Sequence, residues 1–173
     1  TSADLDLSVG GYFEIDDAGC TLSEGLGDVY TDVVEDVLHS NATFYGINNS
    51  TTPGAGSLTL NCENLNFNGG TMVLYNAISN SAKTVEVNVN TDLNVTFRAS
   101  TDICALIGLA GSNDALLDLN IAGNFIVAGN YANAWFLSST STGTEDIQIG
   151  GTLMVTGGNV FFVGKESGLT NNH

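Results

Sequence analysis

The sequence predicts an all-β protein: a parallel β-solenoid of about five short coils with one inserted amphipathic helix. The main observation is a short sequence motif in which apolar and polar residues alternate. It recurs along the chain, most clearly as Leu5-Asp6-Leu7-Ser8-Val9 and Leu117-Asp118-Leu119-Asn120-Ile121. Recurrence at a period of roughly 20 to 50 residues is typical of solenoids, whose units bury their apolar faces only by stacking. An antiparallel β-sandwich or jelly roll is the alternative, but it gives no reason for like residues to recur at like positions.

Each repeat begins with two short strands. The first alternates apolar and polar residues, which indicates one buried and one wet face. The second carries an apolar pair and ends at Gly or Asn near 69–70, 129–130 and 157–158, where we expect corners with positive φ. In register, the outward amides should form a ladder above an apolar inner column. The predicted ladder is Asn61, Asn88 and Asn120, and the predicted column is Leu60, Val87 and Leu119.

The third strand of each repeat is an unbroken apolar run, at 72–75, 103–107, 135–137 and 160–163. Such runs indicate burial on both faces, so something must cover this wall from outside. Residues 28–39 carry apolar pairs every four residues, which predicts an amphipathic helix able to lie over the wall. The alternative cover is a neighbouring molecule. Its predicted assembly interface is Met72, Leu74, Trp135, Phe136, Phe161 and Phe162.

Size and charge limit the partners. The 173 residues predict a single β-solenoid domain over 1–173, with a helix and loop insertion at about 25–57. The net charge is −16, which repels nucleic acid and anionic lipid. No apolar run is long enough to predict membrane insertion. The expected partner is therefore the chain itself, as a homopolymer.

Several features favour an extracellular, cell-surface location. Numbering begins at Thr1 without an initiator Met, as in a mature secreted chain. Four N-glycosylation acceptors are predicted, at Asn41, Asn48, Asn49 and Asn94. Three cysteines, an odd number, predict a free thiol or a disulfide to another chain, unless they are simply small buried residues. They are Cys20, Cys62 and Cys104, and Cys62 occupies an inward position of the repeat.

Catalytic signatures are scarce, and we expect no enzyme activity. His39 falls at the end of the predicted helix, where a cation is favourable. Asp118 and Asp146 lie on neighbouring repeats, and a carboxylate pair of that kind could in principle hydrolyse a glycan. The candidate cofactor is calcium, because it selects clustered carboxylates; solvated acidic faces are the alternative. The candidate ligands are Asp16, Asp17, Asp28, Asp32 and Asp36.

The repeats start at Leu5 and finish near Val163, which leaves almost no sequence to cap the ends of the stack. Open strand edges template the addition of another chain. We therefore expect a self-assembling structural subunit of an extracellular fibre, tube, sheath or surface lattice. The repeat motif, the scarcity of Lys, the Asn-rich strands and the three cysteines resemble the sheath proteins of methanogenic archaea, which implies a secreted polymer. An adhesin or carbohydrate-binding repeat module of a larger surface protein is the alternative, and a glycan-acting enzyme is a third.

Overall fold

The computed structural model of the chain describes residues 3–49, 51–77, 83–107, 116–129, 134–135, 145–157 and 160–161. These residues form strands that pair in parallel, and none of them is helical. The prediction of an all-β parallel solenoid is confirmed. The strands are β1 (Leu5–Val9), β2 (Phe13–Asp16), β3 (Gly19–Ser23), β4 (Val29–Val33), β5 (Val37–Asn49), β6 (Leu58–Cys62), β7 (Leu65–Ala77), β8 (Thr84–Val89), β9 (Leu93–Phe97), β10 (Ile103–Ile107), β11 (Leu116–Ile121), β12 (Phe125–Gly129), β13 (Ala134–Trp135), β14 (Glu145–Ile149), β15 (Leu153–Val155) and β16 (Val160–Phe161).

The strands stack into sheets along the solenoid axis. The first sheet has six strands in the order β1-β4-β6-β8-β11-β14. The second runs β15-β12-β9-β7-β5-β2, and β3 and β10 pair with the outer parts of β5 and β7. We number the coils one to six by their strand in the first sheet. Coils two to five have a neighbour on both sides, whereas coils one and six are the ends of the stack among the described residues.

Corners between the second and third strand segments use positive φ at 69–70 and at 129, as predicted, whereas the predicted positive φ is absent at Gly157. Two long strands, β5 and β7, each continue through this corner as a single strand. Gly69 and Gly70 have φ of 76° and 88°, and Gly129 has φ of 122°. Asn41 takes φ of 48° at the equivalent bend of β5. Gly and Asn tolerate this backbone region at the lowest cost, which explains their placement.

The predicted helix over residues 28–39 is wrong, because this segment forms coil two of the solenoid. Val29 and Val33 lie in β4, which pairs with β1 and β6, and Val37 begins β5. A spacing of four residues is an even number, so it fits an alternating strand as well as a helix. Thr31, which is 1% exposed between Val29 and Val33, shows the two-residue alternation. The β-branched residues of this segment also favour a strand.

The core is a set of parallel columns of like residues. One column runs Val29, Leu58, Val85 and Leu117, each at most 2% exposed. A second runs Val37, Leu65, Leu93 and Phe125, each at most 1% exposed. Each position is therefore covered by its equivalents one coil above and one below. Burial by stacking stabilises interior coils more than the ends.

The apolar runs of the third strands are buried on both faces where the structure describes them. Met72, Val73 and Leu74 are all at most 7% exposed, and Cys104 to Ile107 are at most 4% exposed. Met72 and Leu74 belong to the hydrophobic core of the single chain. The prediction that they form an assembly interface is wrong, because they have no surface left for a second chain. Only the backbone is described for Trp135 and Phe161, and Phe136 and Phe162 lie outside the described residues.

Candidate functional site: the outer face and the end coils

The outer face of the first sheet carries two rows of polar residues. Strand pairing aligns Glu86, Asp118 and Asp146 in one row, and Asp6 occupies the same row at the other end. The neighbouring row is built mostly from amides. It contains Ser8, Asp32, Asn61, Asn88, Asn120 and Gln148. These two rows result from the alternation, which turns every second residue outward.

The amide row is a hydrogen-bonded ladder, which confirms the prediction for its three asparagines. Asn88 Nδ2 donates to Asn61 Oδ1 (2.9 Å), and Asn120 Nδ2 donates to Asn88 Oδ1 (3.1 Å). The same amide of Asn88 donates to Glu86 Oε1 (2.9 Å), so the two rows are linked. Asn61 Nδ2 donates to the Tyr30 hydroxyl of coil two (3.0 Å). The ladder therefore holds the rows of adjacent coils in one register.

A second ladder lies at the corner before the second strands, and sequence reasoning missed it. Asn64 Nδ2 donates to Asp36 Oδ1 (2.8 Å). The backbone N–H of Asp92 donates to Asn64 Oδ1 (3.0 Å), and that of Asn124 donates to Asp92 Oδ1 (2.6 Å). Thr152 N–H donates to Asn124 Oδ1 (3.0 Å). The signal was present in the sequence, because an Asp or Asn precedes four of the second strands.

A shallow groove runs along the amide row. It has a volume of about 740 Å³ and is lined by Asp32, Asn61, Asn88, Asn120 and Gln148, among others. Amides and carboxylates in a regular array donate and accept hydrogen bonds at a spacing of about 4.8 Å. Such a surface suits a repetitive polar ligand. Asp118 and Asp146 lie side by side next to it, as predicted for neighbouring repeats.

The end coils expose residues that the interior coils bury. In coil six Leu153 and Val155 are 43% and 46% exposed, whereas their partners Phe125 and Val127 in coil five are fully buried. In coil one the inward residues of β1 and Phe13 are half-buried. β1 and β14 each pair with one strand only within the described residues. Within the part of the chain that the structure describes, both ends thus present an apolar row beside a strand edge that has no partner.

The predicted calcium site is wrong. Asp17 accepts a hydrogen bond from Asn41, Asp28 accepts one from Ser57 N–H, and Asp36 accepts one from Asn64. Asp16 lies on β2 and Asp32 on β4, so the candidate ligands are spread over the surface of two coils. No group of three or more His, Cys, Asp or Glu side chains is placed to hold a metal ion in the part of the chain that the structure describes. The carboxylates of Asp17, Asp28 and Asp36 serve as hydrogen-bond acceptors between coils.

The three cysteines form no disulfide within the chain, and the burial of Cys62 and Cys104 fits the alternative that they are small buried residues; for Cys20, a disulfide to another chain stays a prediction. Cys62 and Cys104 are each 1% exposed, which prevents either thiol from reaching another chain. Burial raises the pKa of Cys62 to about 12, with a further contribution from the nearby charges of Asp36 and Glu63. Burial also raises the pKa of Cys104 and that of the half-buried Cys20. The thiols are therefore protonated and unreactive near neutral pH.

The four glycosylation acceptors occupy different environments. Asn41 is exposed, and its Nδ2 donates to Asp17 Oδ1 (2.7 Å). Asn48 and Asn94 are half-buried members of interstrand amide pairs, with Asn76 and Asn66 respectively. Asn49 is 7% exposed and its Nδ2 donates to the Gly25 carbonyl, so the folded chain leaves no room for a glycan there. The prediction for Asn49 is wrong, and for the other three it stays a prediction.

His39 is not a helix-terminal cation, since it lies in β5 with its ring in the core. The side chain is 1% exposed and stacks on Phe67, with centroids 5.0 Å apart and planes 14° apart. Nε2–H donates to the Thr71 carbonyl (3.1 Å), and Nδ1 has no hydrogen-bond partner. Burial lowers the pKa of His39, against a smaller opposing effect of nearby carbonyl groups. The ring is therefore neutral at pH 7.

This geometry predicts a pH-dependent stability that His39→Phe removes. The unfolded chain binds the proton near pH 6.5 and the folded chain does so only at lower pH. Stability is therefore complete above pH 6.5 and falls as the pH drops below it, by up to about 1.4 kcal/mol per pH unit. Urea unfolding at pH 7.5 and 5.5 measures the difference. His173 is retained in both proteins, so an unchanged pH dependence in His39→Phe would contradict the assignment.

Asp102 is a structural residue that sequence reasoning did not identify. It lies between β9 and β10 and is 7% exposed. Its carboxylate accepts hydrogen bonds from the backbone N–H groups of Arg98 (2.6 Å), Ala99 (2.7 Å) and, on coil three, Gly70 (2.9 Å). The carboxylate thus links the corner of coil four to the corresponding corner of coil three through hydrogen bonds. Its position in a polar turn between two apolar strands was the available signal.

Together, the fold and its ladders define the class of the protein as a parallel β-solenoid with side-chain hydrogen-bond ladders between coils and apolar residues exposed on its end coils. Comparison with protein-family models, with curated proteins and with solved structures found no match. The described residues include no helix with the length and apolar character needed to cross a membrane.

Proposed function

We propose that this protein is a structural subunit that polymerises outside the cell by stacking its end coils. The observation that supports this most is the exposure of Leu153 and Val155, which occupy core positions in the column they terminate. Exposed apolar rows beside open strand edges favour addition of another chain. Stacking a second coil on them would extend columns and backbone pairing that already exist within the chain.

The surface chemistry is consistent with assembly that depends on ionic conditions. The chain carries a net charge of −16, and carboxylates of adjacent coils already lie in one row on the outer face. Each added subunit brings more negative charge close to the existing stack. Salt screens this repulsion, because the Debye length falls from about 30 Å at 0.01 M to about 8 Å at 0.15 M ionic strength.

We expect the purified chain to be largely monomeric at low salt and to polymerise as salt and protein concentration rise. Sedimentation velocity follows the size from the 17.9 kDa monomer upward, and electron microscopy shows the shape of the product. Fibres, tubes or sheets at 0.15 to 0.5 M salt support the proposal. A chain that remains a monomer at millimolar concentration under all these conditions contradicts it.

The groove along the amide row favours a second candidate, a carbohydrate-binding module of a larger surface protein. Hydroxyl groups of a glycan match the regular donors and acceptors of Asn61, Asn88 and Asn120. Tyr30, 43% exposed on the same face, offers an aromatic ring for stacking on a sugar. A chain that stays monomeric in the sedimentation experiment but is retained on an immobilised polysaccharide has this second function.

A further inference from the structure

Eight of the described glycines lie where one coil closely approaches the coil before it. A Cβ atom at Gly123, Gly150 or Gly151 would lie under 3.0 Å from a carbonyl oxygen of the preceding coil. The same holds at other glycines in coils two, three, five and six. These are Gly27, Gly56, Gly70, Gly129 and Gly157. Gly46 is packed the other way, because its Cβ would meet the carbonyl oxygen of Leu74 on the following coil. At the first corner of coils five and six, however, each glycine lies against the backbone of the preceding coil.

Gly10 and Gly11, like Gly19 of the same coil, have no such close neighbour within the single chain. A Cβ on either residue would meet no atom within 4 Å, and neither has a positive φ. Neither sterics nor backbone conformation requires glycine at these positions. Both lie at the first corner of coil one, where the described residues contain no preceding coil.

Coil six carries the same pair of glycines at the same corner. Gly10-Gly11 follow Val9 and precede the second strand at Phe13, and Gly150-Gly151 follow Ile149 and precede the second strand at Leu153. The strands on either side are therefore separated by corners of equal length. Coil six can be laid on coil one with one constant offset and no gap.

Hydrogen bonds at the other corners show which backbone groups pair when one coil stacks on another at this corner. Gly150 N–H donates to the carbonyl of Ile121, and Gly151 N–H donates to that of Gly123 (2.8 and 2.7 Å). Val34 N–H similarly donates to Val9 (3.0 Å). In a stack of two chains the carbonyls of Ile149 and Gly151 would take these acceptor roles for Gly10 and Gly11.

We propose that coil six of one copy stacks directly on coil one of the next, in a single head-to-tail register. Ile149 pairs with Val9, Leu153 with Phe13 and Val155 with Ile15, so each apolar column continues across the junction. This inference rests on the proposed function and specifies its interface. Because the two surfaces differ, the contact is not self-limiting and produces a linear filament.

The same register places like charges together. Asp146 of one copy would adjoin Asp6 of the next, which extends the row of Glu86, Asp118 and Asp146. Repulsion at this point opposes the burial of the apolar columns. The junction is therefore the step at which salt should act.

Replacing both glycines tests the close approach. In the double variant Gly10→Ala/Gly11→Ala each new methyl meets no atom of its own chain, so far-ultraviolet circular dichroism and urea unfolding at low salt should not change. Assembly should require a protein concentration about tenfold higher or more, because the proposed junction repeats the stacking of the coil-six corner on coil five, where a Cβ at Gly150 or Gly151 would lie 2.3 or 2.6 Å from a carbonyl oxygen. Val34→Ala, which changes the equivalent corner of coil two, is the matched control and should assemble normally. Assembly of the double variant at the wild-type concentration overturns the proposed contact.

Disulfide trapping tests the register and separates this inference from the function on which it rests. Asp6→Cys and Asp146→Cys chains, each with Cys20→Ala, are mixed in assembly salt and oxidised. Adjacent strands place paired Cα atoms about 4.8 Å apart, within disulfide range, whereas pairing Asp146→Cys with Ser8→Cys adds a two-residue shift and exceeds about 7 Å. We expect a covalent dimer from the first mixture and at least tenfold less from the second.

Each other outcome has a defined meaning. If polymers form without the Asp6–Asp146 crosslink, or if both mixtures give equal yields of covalent dimer, the proposed register is wrong but the proposal of self-assembly is still supported. Crosslinking of Asp6→Cys chains to one another indicates head-to-head contact and also overturns the register. Absence of any assembly overturns both proposals.

Discussion

Replacing Asp102 with alanine is expected to destabilise the chain by about 3 to 5 kcal/mol. The carboxylate accepts three backbone hydrogen bonds in a corner where it is only 7% exposed. Without it, the N–H groups of Gly70, Arg98 and Ala99 lose their acceptor at a buried site. A buried donor left without a partner costs about 1 to 3 kcal/mol, and such costs are not fully additive. Urea unfolding at low salt measures the loss.

Two further variants sharpen this result. Asp102→Asn keeps one acceptor oxygen but presents an NH₂ group to a backbone donor, so it should recover only part of the stability. Asp16→Ala removes an exposed carboxylate of similar charge and should change stability by less than about 0.5 kcal/mol. A loss below about 1 kcal/mol in Asp102→Ala would mean that the corner does not depend on this carboxylate.

Phe67→Ala is expected to cost about 3 to 5 kcal/mol, because it opens a cavity in the middle of the stack. Phe67 is 1% exposed and lies between the ring of His39 on coil two and that of Phe97 on coil four. In the variant, His39 and Phe97 both lose their contacts with the ring. Backbone pairing on both sides holds the surrounding columns in place, so they cannot move in to fill the cavity. Chemical denaturation of the monomer at low salt measures this effect.

Phe13→Ala provides a control with the same change of volume at an end of the stack. Phe13 is half-buried in coil one and contacts Phe44 edge to face, with centroids 5.9 Å apart. Its removal should cost about 1 to 2 kcal/mol in the monomer, since part of the ring is already in water. Equal losses in the two variants would argue against stacking as the source of interior stability.

The interior of the coils was accessible from the sequence because their signals are local. Alternation of apolar and polar residues fixes which side chains of β8 and β11 face inward, and strand pairing then places Asn88 beside Asn120. Gly69, Gly70 and Gly129 signalled corners because few other residues tolerate their φ values. Cys62 was assigned to the core because it occupies the position of Val89 and Ile121, and it lies there.

Coil two was missed although one signal pointed to it. The copies of the motif that begin at Leu5 and Leu58 are separated by about twice as many residues as later consecutive copies. This separation leaves room for one more coil between them. Apolar residues at 29, 33 and 37 satisfy both helical and strand periodicity, so their spacing alone does not distinguish them. Thr31 and His39 are polar residues at inward positions, so the alternation of apolar and polar residues that indicates a strand was not visible in the sequence of this segment.

The sequence by itself determined that this chain is a parallel β-solenoid, because strand alternation and corner residues are properties of a few neighbouring positions. Only the tertiary structure decided which residues are enclosed and which remain at the ends. Burial of Met72, the environment of His39 and the reach of the Asp102 carboxylate to Gly70 all depend on contacts between coils about 30 residues apart. Such contacts arise from the stacking of whole coils, and local sequence carries no direct signal for them.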